Sequence, residues 1–182
     1  MTPSAFAAIF LVALALSTLT RLWLANRQLR YVRAHRDAVP ASFADAIPLS
    51  AHRKAADYTV AKMRLGSLDI FLGAAALLLL TYGGVLNWIA GRLGRAFEPG
   101  GLAHGTALII CVILLLSLLE LPLDIYRTFS IEARFGFNRM TWKMYLGDLA
   151  KHAVIGALLG IPMVMLVLWL MAEIGALWWL YV

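Results

Sequence analysis

The amino-acid sequence predicts an all-α, polytopic membrane protein with four complete transmembrane helices and the start of a fifth. Three observations carry that expectation. Hydrophobic residues make up 62% of the 182 and charged residues only 14%, against about 45–50% and about 25% in a soluble domain. Four windows, 1–20, 70–91, 99–119 and 152–172, contain no Asp, Glu, Lys or Arg. Each reaches the ~20 residues a helix needs to cross the hydrocarbon core. None alternates as a barrel strand does, and a helix satisfies its own backbone hydrogen bonds in lipid.

The elements follow in order. The first span is expected over about 2–24. Residues 1–8 carry no Lys or Arg, unlike a secretory signal, which begins with a positive patch. The positive charge comes afterwards, which favours an uncleaved anchor with its N-terminus outside. Arg27, Arg30, Arg33 and Arg36 then recur at spacing three, placing one basic face on a helix that leaves the membrane. Pro40 and Pro48 bound a non-helical stretch. Ser50 is expected to cap a helix from Ala51 to about Leu65, with Arg53 and Lys54 spaced for a local ion pair to Asp57 of small energetic value. Further spans are expected over about 68–91, 103–123 and 152–173. Residues 174–182, with Trp178, Trp179 and Tyr181, read as the start of another span. Nine residues cannot cross a bilayer, so a chain ending inside a fifth helix is the expectation.

Charge distribution sets the orientation. Segment 21–69 holds nine Lys or Arg, the second connection only Arg92 and Arg95, and the third, around 120–151, holds five. Excess Lys and Arg mark cytoplasmic loops, so loops 25–67 and 124–151 are assigned to the cytoplasm. The net charge of +6 is thereby read as setting topology, and nucleic acid is not expected as a partner; membrane lipids are.

No active site is recognisable in the chain. Two His at i and i+4 with a Glu beside the first would mark a zinc peptidase helix. Four residues beyond His35, His52, His104 and His152 stand Val39, Ala56, Leu108 and Gly156, and no His is followed by Glu. The single cysteine, Cys111, makes neither a disulfide nor a Cys-based zinc site. Asp69, Glu120, Asp124 and Glu173 lie near membrane depth. A cation path through Glu120 and Asp124, four residues apart on one helix face with Pro122 between them, is the sharper reading. Placement at span ends, within reach of arginines such as Arg127, is the simpler one.

The most informative segment is YRTFSIEARFGFNRMTWKMYLGDLAK, residues 126–151. It mixes Phe129, Phe135, Phe137, Trp142 and Tyr145 with charged residues, a composition suited to a docking surface or to a membrane-surface belt. Gly136 permits a turn, and Thr141 can cap the helix that follows. This run resembles the cytoplasmic loop of type I CAAX prenyl proteases, on Glu132, Phe135, Gly136, Phe137, Asn138 and Thr141, followed by Asp148 and Lys151. The first loop matches in kind, through RQLRYVRAHRDAVP and HRKAADYTVAK with Tyr58 and Lys62, and the likeness is to bacterial-type members.

The resemblance implies a seven-helix zinc metalloendopeptidase enclosing a chamber, with a zinc peptidase domain after the fifth helix. The His-Glu-x-x-His motif does not occur in this chain, so no catalytic or metal residue is assigned and zinc is implied only for the complete enzyme. The chain alone is expected to be inactive. Its expected part is the helical chamber and substrate access, with Glu132, Arg134, Phe135, Gly136, Phe137, Asn138 and Thr141 facing the zinc domain or the substrate. The implied partners are that domain and a peptide or membrane-protein substrate, and the implied location is a bacterial inner membrane. The alternative is a non-catalytic four-helix membrane scaffold or binding protein.

Overall fold

A computed structural model describes residues 2–174. Five α-helices succeed one another: α1 (Pro3–Ala34), α2 (Leu49–Thr81), α3 (Val85–Leu93), α4 (Leu102–Tyr126) and α5 (Trp142–Ile174). No strand occurs among the described residues. Helices α1, α2, α5 and the run Leu102–Glu132 are long and apolar enough to cross a membrane. At 1.5 Å per residue, the 33 residues of α2 extend about 50 Å. That exceeds the ~30 Å hydrocarbon core. These helices therefore overrun their charge-free windows, and much of what the sequence presented as loop is helix.

Local chemistry explains the helix ends. Pro3 enters α1 in its first turn, where its missing N–H is not needed, and the Thr2 hydroxyl accepts from the Ala5 N–H at 3.3 Å. Ser50, expected as a cap, lies inside α2. The Pro48 carbonyl instead accepts from the amides of Ala51 and His52 at 2.9 and 3.1 Å. The window 70–91 is also not one helix. α2 stops at Thr81, and α3 restarts after Gly84, which sits at φ +72°. A Cβ on Gly83 would lie 2.6 Å from the Leu79 carbonyl oxygen, so the chain passes there only with glycine. The apolar pattern ran unbroken across this pair and hid the turn. Residues 175–182, where a fifth span was expected to begin, lie outside the described residues.

The chain divides into two units, one of residues 2–78 and 120–139, the other of residues 79–119 and 140–174. In the second, the His104 imidazole lies 3.0 Å from the Ala90 carbonyl and ties the start of α4 to α3. Gly105 sits so close to Leu168 of α5 that a Cβ would come within 3.1 Å of its Cδ1. Thr106 is buried, its hydroxyl donating to the Leu102 carbonyl at 2.8 Å. Such small-residue approach is how helices pack in lipid, where burial of apolar side chains between helices gains nothing over the acyl chains.

In the first unit, a charged cluster joins the end of α1 to the start of α2. The Arg36 guanidinium donates twice to the Asp57 carboxylate, at 2.7 and 2.8 Å, and once to Asp37 at 3.2 Å. Arg53 reaches Asp37 at 2.6 Å, and His52 Nε2 donates to the His35 carbonyl at 2.9 Å. This corrects the local pairing expected between Arg53 or Lys54 and Asp57. A bidentate guanidinium from a separate element satisfies both carboxylate oxygens in a plane, which a lysine or arginine one turn away on the same helix does not. Hydrogen bonds from Arg36 hold the Asp57 carboxyl below the usual carboxylate range, opposed by partial burial and aided by the charges of Arg36, Arg134 and Arg53.

A carboxylate with a lowered folded-state pKa stabilises fully above its unfolded value, about 3.9, and loses that contribution as pH falls through the folded value. Thermal unfolding of Asp57→Asn in detergent should therefore show a deficit against wild type that is constant from neutral pH to about 5. That deficit should shrink below about 4. A deficit independent of pH would assign the effect to something other than the Arg36 pair.

Candidate functional site

The segment that carried the sequence motif is not a free loop. α4 continues through a π-helical turn, Arg127–Glu132, and the helical backbone runs on to Arg134. Wide turns of this kind recur at functional positions. Here the extra residue per turn accompanies the burial of Ile131 at 5% exposure and Phe135 at 8%, against Leu65 of α2 at 7%. Tyr58, Ala61 and Leu123 pack around these three. The charge of Asp124 is met locally, by Arg127 at 2.9 Å, in keeping with the simpler reading of that carboxylate.

Gly136 ends the helix. Its φ is +74°, a left-handed conformation that costs other residues roughly 1–2 kcal/mol. The Glu132 carbonyl accepts from both Phe137 N–H, at 2.9 Å, and Asn138 N–H, at 3.2 Å, so carbonyls otherwise orphaned at a helix end are used. The turn throws Phe135 inward and leaves Phe137 exposed at 53%.

Tyr58 is the hinge pin of this arrangement. Its ring meets Phe135 edge-on at 5.5 Å and Phe137 at 4.8 Å. Three cations lie over these rings: Lys54 over Phe137 at 5.4 Å, Lys62 over Tyr58 at 5.2 Å and Arg134 over Phe135 at 5.7 Å. Each such contact is worth about 0.5–1 kcal/mol at exposed sites. Residues 132–139 are thereby clamped onto α2. Thr141 belongs to the second unit, where its hydroxyl accepts from Met144 N–H at 3.3 Å and caps α5 as expected.

Among the described residues, no three His, Cys, Asp or Glu side chains gather closely enough to hold a metal ion. The residues here do not fit a zinc ion, and no chemical step is assigned through one. What the segment offers is a fixed turn with an exposed aromatic ring and flanking cations, an arrangement suited to recognition.

The family model described as CAAX prenyl protease N-terminal, five membrane helices, matches residues 28–182. The chain belongs to this CAAX prenyl protease N-terminal family. It is 27% identical over 150 residues to the probable CAAX prenyl protease 1 of Schizosaccharomyces pombe, covering 76% of this chain and 31% of that protein. With a CAAX prenyl protease 1 homolog of Caenorhabditis elegans it shares 26% over 176 residues, covering 96% of this chain and 39% of the relative. The crystal structure of S. mikatae Ste24p superposes with a TM-score of 0.81 at 20% identity, over 92% of this chain and 39% of that one. The chain thus spans about a third of the length of these relatives, and the likeness in structure establishes the fold. This CAAX prenyl protease N-terminal chain is an integral membrane protein.

The family's motif residues are legible in the sequence, but what holds them in place is not. Lys54, Tyr58, Ala61, Lys62 and Leu65 all stand on one stretch of α2, and the i, i+3, i+4, i+7 series from Tyr58 was the available signal. The π-turn had none.

Truncating Phe135 to Ala should lower thermal stability in detergent by about 3 kcal/mol, the cost of emptying a buried aromatic site. Phe137→Ala should lower it by much less, and Gly136→Ala by about 1 kcal/mol through backbone strain. Equal losses for Phe135→Ala and Phe137→Ala would contradict the inward and outward assignment.

Proposed function

We propose that this chain is the membrane domain of a zinc-dependent CAAX-type prenyl protease, supplying the helical chamber and the route by which substrate enters. The zinc site is contributed by a peptidase domain outside these 182 residues, which packs against Glu132, Arg134, Gly136, Phe137 and Asn138; Phe135, expected on that face, is turned inward, and Thr141 belongs to the other unit. The observation that carries this reading is Phe137. The turn at Gly136 holds its ring exposed between Tyr58 and Lys54, where an internal contact alone would have buried it. Ordering such a ring in advance removes part of the entropy cost of docking.

The substrate class follows from the relatives' names: a peptide ending in Cys-a-a-X with a prenylated cysteine. In this reading the CAAX end reaches the zinc domain from the membrane face, and residues 25–67 and 124–151 lie in the cytoplasm with the N-terminus outside. A bacterial-type placement and a bacterial inner membrane rest only on the loop's resemblance. The relatives named above are eukaryotic and lend them no support.

Cleavage of a farnesylated Cys-a-a-X peptide by the complete protein tests the role of the turn. Phe137→Ala should reduce kcat/KM about fivefold or more, the loss of one interface anchor, with thermal stability nearly unchanged. A chelator should abolish cleavage, while the 182-residue chain alone should cut nothing. Unchanged cleavage by Phe137→Ala would falsify the docking role.

Orientation is tested separately. With the single native cysteine removed by Cys111→Ala, a membrane-impermeant maleimide should label Ser4→Cys in intact cells. Ala38→Cys should react only after permeabilisation, and the reverse pattern would invert the topology.

A further inference from the structure

The turn at Gly83 and Gly84 delivers the chain from α2 into α3, a helix of nine residues. At 1.5 Å per residue α3 extends about 14 Å, less than half of the ~30 Å hydrocarbon core. It cannot be a span of its own. Two contacts within the second unit fix its height. The His104 imidazole lies 3.0 Å from the Ala90 carbonyl, and a Cβ on Gly94 would come 3.5 Å from Pro99 Cγ. Pro99 opens the charge-free window 99–119. Along α4, His104 stands about 22 Å from Leu119 at the other end of that window. It is therefore about 8 Å short of the far edge of a ~30 Å core. The last turn of α3 runs at the margin of the hydrocarbon, at the end of α4 away from Tyr126.

The side chains of α3 divide between two faces. Val85, Ile89 and Leu93 recur every four residues and are half-buried, with Ala90 beside them. On the other face Trp88 is 62% exposed. The Arg92 guanidinium, one turn further on, lies 5.1 Å over its ring. Asn87 and Gly91 are exposed on this side too, as is Arg95 just beyond the helix. Neither Arg92 nor Arg95 has a carboxylate partner among the described residues. Tyr82 and Phe97, which bracket α3, are likewise exposed. An aqueous surface would leave the indole wet, and hydrocarbon would leave the guanidiniums unsolvated. The headgroup layer accommodates both, because an indole has an apolar body and a polar N–H and so concentrates there.

We infer that α3 is an interfacial anchor, seated in the headgroup layer of the leaflet at that end of α4, with phospholipid as its partner. Trp88 lies at the level of the headgroups and first acyl carbons, and Arg92 and Arg95 reach outward from it. Interfacial helices sink their apolar face about 5–10 Å into this boundary, the depth at which the His104–Ala90 contact holds α3. The glycine pair makes the placement possible, since it ends α2 at Thr81 and frees the chain to turn. None of these residues belongs to the 126–141 segment, so the anchor does not rest on the protease reading.

The test is tryptophan fluorescence of the complete protein in phosphatidylcholine vesicles whose lipid is brominated either near the headgroup or near the acyl terminus. The Trp88 component is the emission of wild type minus that of Trp88→Phe. Shallow bromine should quench it about twofold or more strongly than deep bromine, and aqueous acrylamide should quench it weakly.

Equal quenching by the two lipids, or stronger quenching by the deep one, overturns the proposal in favour of a ring buried in hydrocarbon. Quenching by acrylamide alone overturns it in favour of an aqueous surface. Resistance to every quencher overturns it in favour of a face covered by protein. If Trp88→Phe fails to fold, Trp88→Tyr supplies the same difference, because a phenol is also an interfacial ring. The readout involves no cleavage step, so failure here is distinguishable from failure of the protease reading.

Discussion

A backbone that enters hydrocarbon must satisfy every N–H and C=O from within, and the rest of this structure depends on that constraint. It makes each charge-free window helical whatever its propensities. It also explains why the helices continue past the windows, since ending a helix leaves four amides or four carbonyls without partners. α1 runs to Ala34, α2 begins at Leu49, and α4 passes into a π-turn rather than stopping at Tyr126. The residues freed from lipid are used to build a structured surface on helices already in place.

That surface is assembled by side chains at the ends of the charge-free windows. Where water reaches, packing gains the driving force of apolar burial. Leu65, Ile131 and Phe135 account for three of the five buried hydrophobic residues among those described. Long-range polar contacts accompany them. Arg36 bridges to Asp57, 21 residues on, and Arg134 contributes to lowering the pKa of that carboxyl. The two segments that carry most of the positive charge are therefore coupled through α2, and the 132–139 turn inherits its rigidity from a helix long and apolar enough to cross the bilayer.

The same geometry separates two kinds of arginine. Those with carboxylate partners, Arg36, Arg53 and Arg127, fix the ends of helices. Arg64 and Arg134 have none among the described residues and line a groove with an apolar floor. In the charge count behind the expected orientation all five are equivalent, because the positive-inside rule records charge and not its neighbours. Their division of labour arises from which of them meets an acid in space.

By itself the sequence determined that this protein lives in a membrane, where its principal apolar helices lie and which family its 126–151 motif resembles. Those are properties of composition, run length and local pattern, and each is complete within a few tens of residues. It also foretold the Gly136 turn and the Thr141 cap, because both are decided by neighbours in the chain. Tertiary structure alone decided that Asp57 pairs with Arg36 rather than Arg53, that Phe135 turns inward while Phe137 stays out, and that Tyr58 sits between them. It alone broke the window 70–91 at Gly83 and Gly84, because apolarity specifies that a segment enters lipid but not that its backbone continues. The pairing of Asp57 and the packing of Phe135 and Tyr58 depend on distances between residues far apart in the chain, and no periodicity encodes such distances.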